Sequence, residues 1–227
     1  EVPALTEDVI IRANATIGSG TVATAKAITF EGTPTPTLTI ADGGQLQTNA
    51  SVTATVQKHI TGYGAANVNT NNGYYLIANP LSSTINSSNM AATGLLTGNY
   101  DLYQWARTTS LEWDNYRAGA FNLSTTTGYL YANQDDVDLS FTGTVSANNS
   151  SVSKSVSYTA PTEGTTDFSD FNLIGNPFVC EAYLVSASTG GTALAYYRMN
   201  ADGNGFESVA SGAIAPMEGV FSQASAS

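Results

Sequence analysis

The chain has 227 residues, 42% of them hydrophobic, which is enough to bury a core without disulfide or metal staples. Only 11% are charged, against the usual quarter of a globular protein, and the net charge is −11 with a pI near 4.1. Such a surface repels nucleic acid and anionic membrane, there is no Lys/Arg cluster, and no stretch approaches the roughly 20 apolar residues of a membrane helix. Nucleic-acid binding and membrane insertion are therefore not expected. Thr, Ser, Asn and Gly supply the polarity, as in bacterial proteins displayed outside the cell. The chain starts at Glu1, so a signal peptide is expected to have been removed or omitted, and it stops in Ser222–Ser227, which fits a cut inside a longer protein.

The first stretch, 1–62, reads as short strands between turns. Val9–Ile11, Ala27–Phe30, Thr37–Ile40 and Ser51–Val56 are apolar or alternate with period two, and Ala41–Gly44 is a turn feeding another short strand. Gly32, Pro34 and Pro36 stand against any long helix. The strand-turn spacing suits a few rungs of a β-solenoid, each stacking its apolar face on the next, in preference to an antiparallel meander. A polar stretch, Gly62–Gly73, is the candidate boundary.

The remainder, 73–227, carries an internal repeat. Leu76-Ile-Ala-Asn79-Pro80 matches Leu173-Ile-Gly-Asn176-Pro177. Tyr103-Gln-Trp105 matches Tyr197-Arg-Met199, Trp113–Tyr116 matches Phe206–Val209, and Gly128-Tyr-Leu130 matches Gly219-Val-Phe221. The order is kept in both copies, about 73–133 and about 170–224. In each, a buried Leu-Ile strand ends at Asn-Pro, because proline cannot donate to a ladder and asparagine can bond the turn backbone. A hairpin follows, with turns at 106–111 and 200–205, and then a last strand after the glycine. About four strands per copy predict an antiparallel β-sandwich. Val137–Val145 and Ser151–Tyr158, between the copies, read as two further strands. The expected fold class is thus all-β: a short β-solenoid-like segment followed by an internally duplicated antiparallel β-sandwich.

Tyr100-Asp-Leu-Tyr103, Trp113-Asp-Asn-Tyr116, Gly128–Asn133, Phe141-Thr-Gly-Thr144, Asn172–Phe178 and Ile214–Phe221 together resemble a module of large secreted and cell-surface proteins of Bacteroidota. Asp42-Gly-Gly-Gln-Leu46 resembles the short β repeats that often precede that module. The resemblance covers most of the chain. It implies a secreted, gram-negative bacterial location, extracellular or on the outer cell surface, and an adhesin-like role.

Three constellations bear on chemistry. Tyr103, Trp105, Trp113, Tyr116, Tyr129 and Tyr131 could stack on sugar rings, making Tyr103, Trp105, Trp113 and Tyr116 the candidate glycan-binding set. Tyr103 and Trp105 share one face of a strand, and the copy has Tyr197 and Met199 there, so core packing is the stronger reading. Asn200, Asp202 and Asn204 resemble the start of a calcium loop, but Ser211 stands where its closing acid belongs, and a hairpin turn needs the same residues. His59 is the only histidine and Cys180 the only cysteine, so neither a triad, a zinc site nor an intramolecular disulfide is expected, and Cys180 reads as a buried small hydrophobe. Asp135-Asp136, and Asp167 with Asp170, sit in turn-like stretches rather than as a glycosidase pair.

The expectation is a non-enzymatic surface module with a structural or adhesive role and no cofactor, calcium aside. Its partner would be a host or dietary glycan or a surface protein. The alternative is a carbohydrate-binding module accessory to a secreted hydrolase; a β-helix hydrolase ranks third.

Overall fold

The computed structural model describes residues 3–64, 73–87, 100–106, 112–159 and 168–225, and among them there is no α-helix. The first seven strands are β1 (Asp8–Ile11), β2 (Ala15–Ile17), β3 (Val22–Ala25), β4 (Ala27–Phe30), β5 (Leu38–Ile40), β6 (Gln45–Thr48) and β7 (Val52–Ile60). They pair in parallel, not as the antiparallel hairpins of a meander. β1 lies on β4 with Asp8 opposite Ala27, β2 on β5 with Ala15 opposite Leu38, and β3 on β6 with Val22 opposite Gln45. β7 then adds to β5. Each pass of the chain returns to the face it left, so like positions stack. Ile17, Ile40 and Val56 stand in register, all buried. Gly43 makes the turn before β6 at φ 74°, and a Cβ on neighbouring Gly44 would sit 2.5 Å from Ile17 O.

The next strands are β8 (Tyr75–Ala78), β9 (Ile85–Asn86), β10 (Tyr100–Trp105), β11 (Trp113–Asn115), β12 (Asn122–Leu123), β13 (Gly128–Asn133) and β14 (Val137–Val145). β14 runs antiparallel to β7 over nine residues, Val137 opposite Ile60 through Val145 opposite Val52, and sets Phe141 beside Val56 in the apolar column. The last strands are β15 (Phe171–Gly175), β16 (Ala182–Tyr183), β17 (Val185–Ser186), β18 (Thr192–Ala193), β19 (Tyr196–Met199), β20 (Phe206–Val209), β21 (Ala213–Ile214) and β22 (Gly219–Gln223).

Two four-stranded antiparallel sheets result. One has the order β11-β10-β13-β8 and the other β20-β19-β22-β15. Each is accompanied by a two-stranded pair, β9 with β12 and β16 with β21. The sequence reading of about four strands per copy missed these pairs, since two residues are too few for alternation to register. Ala78 N donates to Met217 O at 2.9 Å, and Gly175 N donates to Thr126 O at 3.1 Å, so each sheet's first strand bonds the turn before the other sheet's last strand. Residues 107–111 of the hairpin turn expected at 106–111, and most of the polar stretch 62–73, lie outside the described residues.

The sheets meet on Leu76, Leu173 and Phe221, ringed by Trp105, Trp113, Leu130, Phe171, Tyr197 and Met199. The first sheet turns its other face to β7 and β14. There Leu102, Tyr129, Tyr131 and Leu123 pack with Leu139, Phe141, Val145, Val56 and Ile60 in the main core. The close approach of the sheets is made by glycine. A Cβ on Gly175 would lie 2.6 Å from Thr127 O and 2.8 Å from Ala78 Cβ. Backbone cannot yield there as a flexible side-chain end would. Gly175→Ala is expected to cost about 2 kcal/mol of stability through this overlap. Gly119→Ala, whose Cβ meets nothing within 4 Å, serves as the neutral control in the same thermal melt.

One expected strand is corrected. Ser151–Tyr158 belongs to no ladder. Its link to the second sheet runs through a side chain: Asn172 Oδ1 accepts from Ser157 N at 3.0 Å and Asn172 Nδ2 donates to Ser157 O at 3.0 Å. Alternation favours an extended backbone but does not supply a neighbouring strand.

Candidate functional site

Tyr103, Trp105 and Trp113 come together, on the face of the first sheet that meets the second. The Trp105 and Trp113 rings are edge-to-face with centroids 4.8 Å apart, and Phe221 lies edge-on to Trp105 at 4.9 Å and to Trp113 at 5.9 Å. Tyr103 adds an edge contact to Trp113 at 6.4 Å. Trp105 Nε1 donates to Phe171 O at 3.0 Å, so its polar edge is tied across the two sheets. Edge-to-face geometry satisfies the ring quadrupoles but leaves few free faces of the kind sugars stack on.

Tyr116 is held elsewhere. Its ring stacks on Tyr100 at 4.8 Å and packs against the main core beside Tyr131. The Arg117 guanidinium lies 5.5 Å from the Tyr116 ring centroid, its Nε donates to Tyr116 Oη at 3.2 Å, and its Nη1 is 3.3 Å from Asp101 Oδ1. The hydrogen bond to Tyr116 raises the Arg117 pKa, and burial raises that of Tyr100. The candidate set is thus split between two locations.

Asn200, Asp202 and Asn204 lie in the β19–β20 turn. Asn200 Oδ1 accepts from Asn204 N at 3.1 Å and Gly205 N at 3.3 Å, while Asn200 Nδ2 donates to Asn204 Oδ1 at 2.8 Å. Asn200 Oδ1 and Asn204 Oδ1 thus take part in closing the turn, as a hairpin turn of this composition requires. The turn also docks: Tyr74 N donates to Gly203 O at 3.1 Å and Gly73 N to Asp202 O at 3.1 Å. Among the described residues no group of three or more His, Cys, Asp or Glu side chains is placed to hold a metal ion.

His59 is exposed on β7, with Nδ1 2.8 Å from Asp138 Oδ1 on β14. Asp170 is buried and accepts from Gln223 Nε2 at 2.7 Å, and Asp167 lies outside the described residues. Cys180 is buried beside Asn148, whose Nδ2 is 3.2 Å from its Sγ. Burial, with a smaller contribution from Glu181, pushes its thiol up to about 11. The thiol is therefore protonated at pH 8 and is expected to resist iodoacetamide in the folded state and react once urea unfolds the chain. Because the folded value is raised, the stabilisation is present at low pH and is lost as pH climbs from the ordinary 9.0 toward about 11. Burial raises Tyr129, Tyr131 and Tyr196 as well. Thermal melts across this range are expected to show a steep alkaline loss of Tm.

Two features were not foreseen. Arg198 Nε and Glu218 Oε1 lie 3.0 Å apart, and Arg198 Nη2 also donates to Ala213 O at 2.8 Å. This pair, with Glu218 Oε2 accepting from Ala215 N at 2.8 Å, pins the turn before β22. The second feature is a cleft of about 1290 Å³ on the second sheet, lined by Ser151–Lys154, Val156, Tyr158, Ile174, Tyr183–Val185 and Ile214 among others. Nothing in the motifs marks it, since its walls are remote in sequence.

No family model, curated protein or solved structure matches the chain.

Proposed function

We propose that the chain is a non-enzymatic surface module with a structural or adhesive role outside a gram-negative cell. Residues 1–62 form a short β-solenoid-like stack, and 73–227 form a duplicated β-sandwich. The parallel returns of β1 to β4, β2 to β5 and β3 to β6 support the stacked reading. The edge of β6 is closed by Leu46 N donating to Val179 O at 2.9 Å and by Asn148 bonding Thr48 N and Leu46 O, which is how a short stack avoids an open edge. The recurring strand order and the matching environments of Asn79 and Asn176 support the duplication.

The observation that carries the functional reading is the use of Trp105 and Trp113. Their rings and the Trp105 N–H join the two sheets. A sugar platform would present an open ring face with polar groups beside it.

The test is intrinsic tryptophan fluorescence titrated with mucin and with plant polysaccharides. No shift or quench with any glycan, together with poor quenching of both tryptophans by iodide, is the expected result. A saturable shift abolished by Trp113→Ala in a variant that still folds would replace this reading with a carbohydrate-binding module.

A further inference from the structure

One face of the stack differs from its neighbours. In the four-stranded sheet β2-β5-β7-β14, Ile17, Ile40, Val56 and Phe141 are buried, so the residue next to each points outward. The register sets Thr16, Thr39, Thr55 and Thr142 in one row across all the strands. Two residues along each strand, the same register sets Asn14, Thr37, Thr53 and Thr144 in a parallel row. Neighbours within a row lie about 4.8 Å apart and the rows about 6.7 Å apart, from the spacing of strands and the rise per residue. Every one of these side chains is exposed or half-exposed. The Thr55 and Thr142 hydroxyls are 2.9 Å apart, whereas those of Thr16, Thr37, Thr39, Thr53 and Thr144 bond no protein group among the described residues. The adjoining faces carry other chemistry. Beside β1 and β4 run the ion pairs Lys26–Asp8 and Arg12–Glu31, with Ile10 exposed, and β3 and β6 present Val22, Gln45 and Gln47.

We propose that this threonine face is an ice-binding site, its ligand the ordered water of an ice surface. Neither row holds a charge or an aromatic ring, so the face lacks what pairs with an ion and what stacks on a sugar. What it offers is a two-dimensional repeat of methyl and hydroxyl groups. The methyls order the water lying between the rows, and the hydroxyls bond it. Fixing free water molecules costs entropy, but the molecules of ice are fixed already, so the array gains hydrogen bonds without that cost. A periodic ligand also needs a flat, rigid face. Parallel stacking and side-chain ladders keep a sheet flat, and the buried column behind the rows leaves no room for it to flex. β14 widens the array beyond the stack, because its antiparallel register still sets Thr142 on Thr55 and Thr144 on Thr53. Gly143 between them lets Leu81 close behind, where a Cβ would stand 3.0 Å from Leu81 Cδ1.

The inference goes beyond the surface-module reading and uses neither tryptophan, so the glycan titration and the ice test fail independently. The test grows ice slowly from a solution of the intact, fluorescently labelled chain and measures how much protein the ice takes up. Single crystals are watched in the same solution for faceting and for a gap between melting and freezing points. The chain is expected to enter the ice and to facet the crystals. Thr39→Tyr with Thr55→Tyr keeps strand propensity but sets bulky rings in the middle of the array. This variant is expected to lower uptake at least about ten-fold, with the thermal melt unchanged. Thr16→Lys with Thr142→Lys, at the exposed ends of the row, is expected to do the same without altering the central strands. Thr29→Tyr, exposed on the adjoining face, is expected to change nothing. Exclusion of the unaltered chain from ice with round crystals at about 1 mM would overturn the proposal. So would full uptake by either double variant, or an equal loss in Thr29→Tyr.

Discussion

Asn176→Ala is expected to lower the unfolding free energy by about 3–4 kcal/mol, and Asn79→Ala by a similar amount, because each removes a buried amide that closes a strand end on several backbone groups. Asn176 Nδ2 reaches Cys180 O at 2.9 Å, Ile214 O at 3.0 Å and Ala215 O at 3.0 Å, and its Oδ1 accepts from Phe178 N at 2.9 Å. Asn79 Nδ2 reaches Ser83 O at 2.8 Å and Leu123 O at 2.9 Å, and its Oδ1 accepts from Leu81 N at 2.9 Å. Three partners match, namely the carbonyl four residues on, a carbonyl on the strand of the small pair and the N–H two residues on, and Asn176 adds Ala215 O. Both side chains are buried, so truncation leaves these groups without water or a new partner. Against a typical total of about 5–15 kcal/mol, either loss is visible in urea titration as a lower midpoint with unchanged slope. Asn122→Ala, at an exposed position, is expected to do little.

Trp105→Ala is expected to cost about 3 kcal/mol, the low end for a large aromatic because the ring is half-buried. It removes the edge contacts to Trp113 and Phe221 and leaves Phe171 O without its donor. Trp105→Phe keeps most of the ring and loses the hydrogen bond, so its cost should fall to about 1 kcal/mol. Trp113 fluorescence would red-shift in the alanine variant as the space between the sheets opens to water. A ring kept for ligand contact would behave in the opposite way, with stability held and binding lost.

Local pattern made some of this legible. The alternation at Val52–Val56 and the apolar run at Leu173–Ile174 mark strands, because one or both faces of each are buried. Asn-Pro marked the strand ends, and Met199, matched to Trp105 in the sequence repeat, pointed to a core position rather than to a ligand. Partner and direction were harder. Thr37–Ile40 looks the same whether its neighbour runs parallel or antiparallel, and only the folded chain pairs Leu38 with Ala15. The two-residue strands β9 and β16 fall below the length at which a period can be read. Ser151–Tyr158 carries the same alternation as β7, but no strand among the described residues pairs with it, so the sequence signal and the ladder part company there. The Arg198–Glu218 pair joins β19 to the turn before β22, and no spacing rule links them.

The claim beneath all of this is that two sheets of matching order face each other across Leu76, Leu130, Leu173, Phe221 and the two tryptophans. Nuclear Overhauser spectra of the intact chain test it most directly. The account predicts cross-peaks from the Leu76 and Leu130 methyls to the Phe221 ring, and between the Hα protons of Gly128 and Gly219, since a Cβ on Gly128 would stand 3.2 Å from Gly219 Cα. Cross-peaks confined within each sheet, with none joining Gly128 to Gly219, would contradict it.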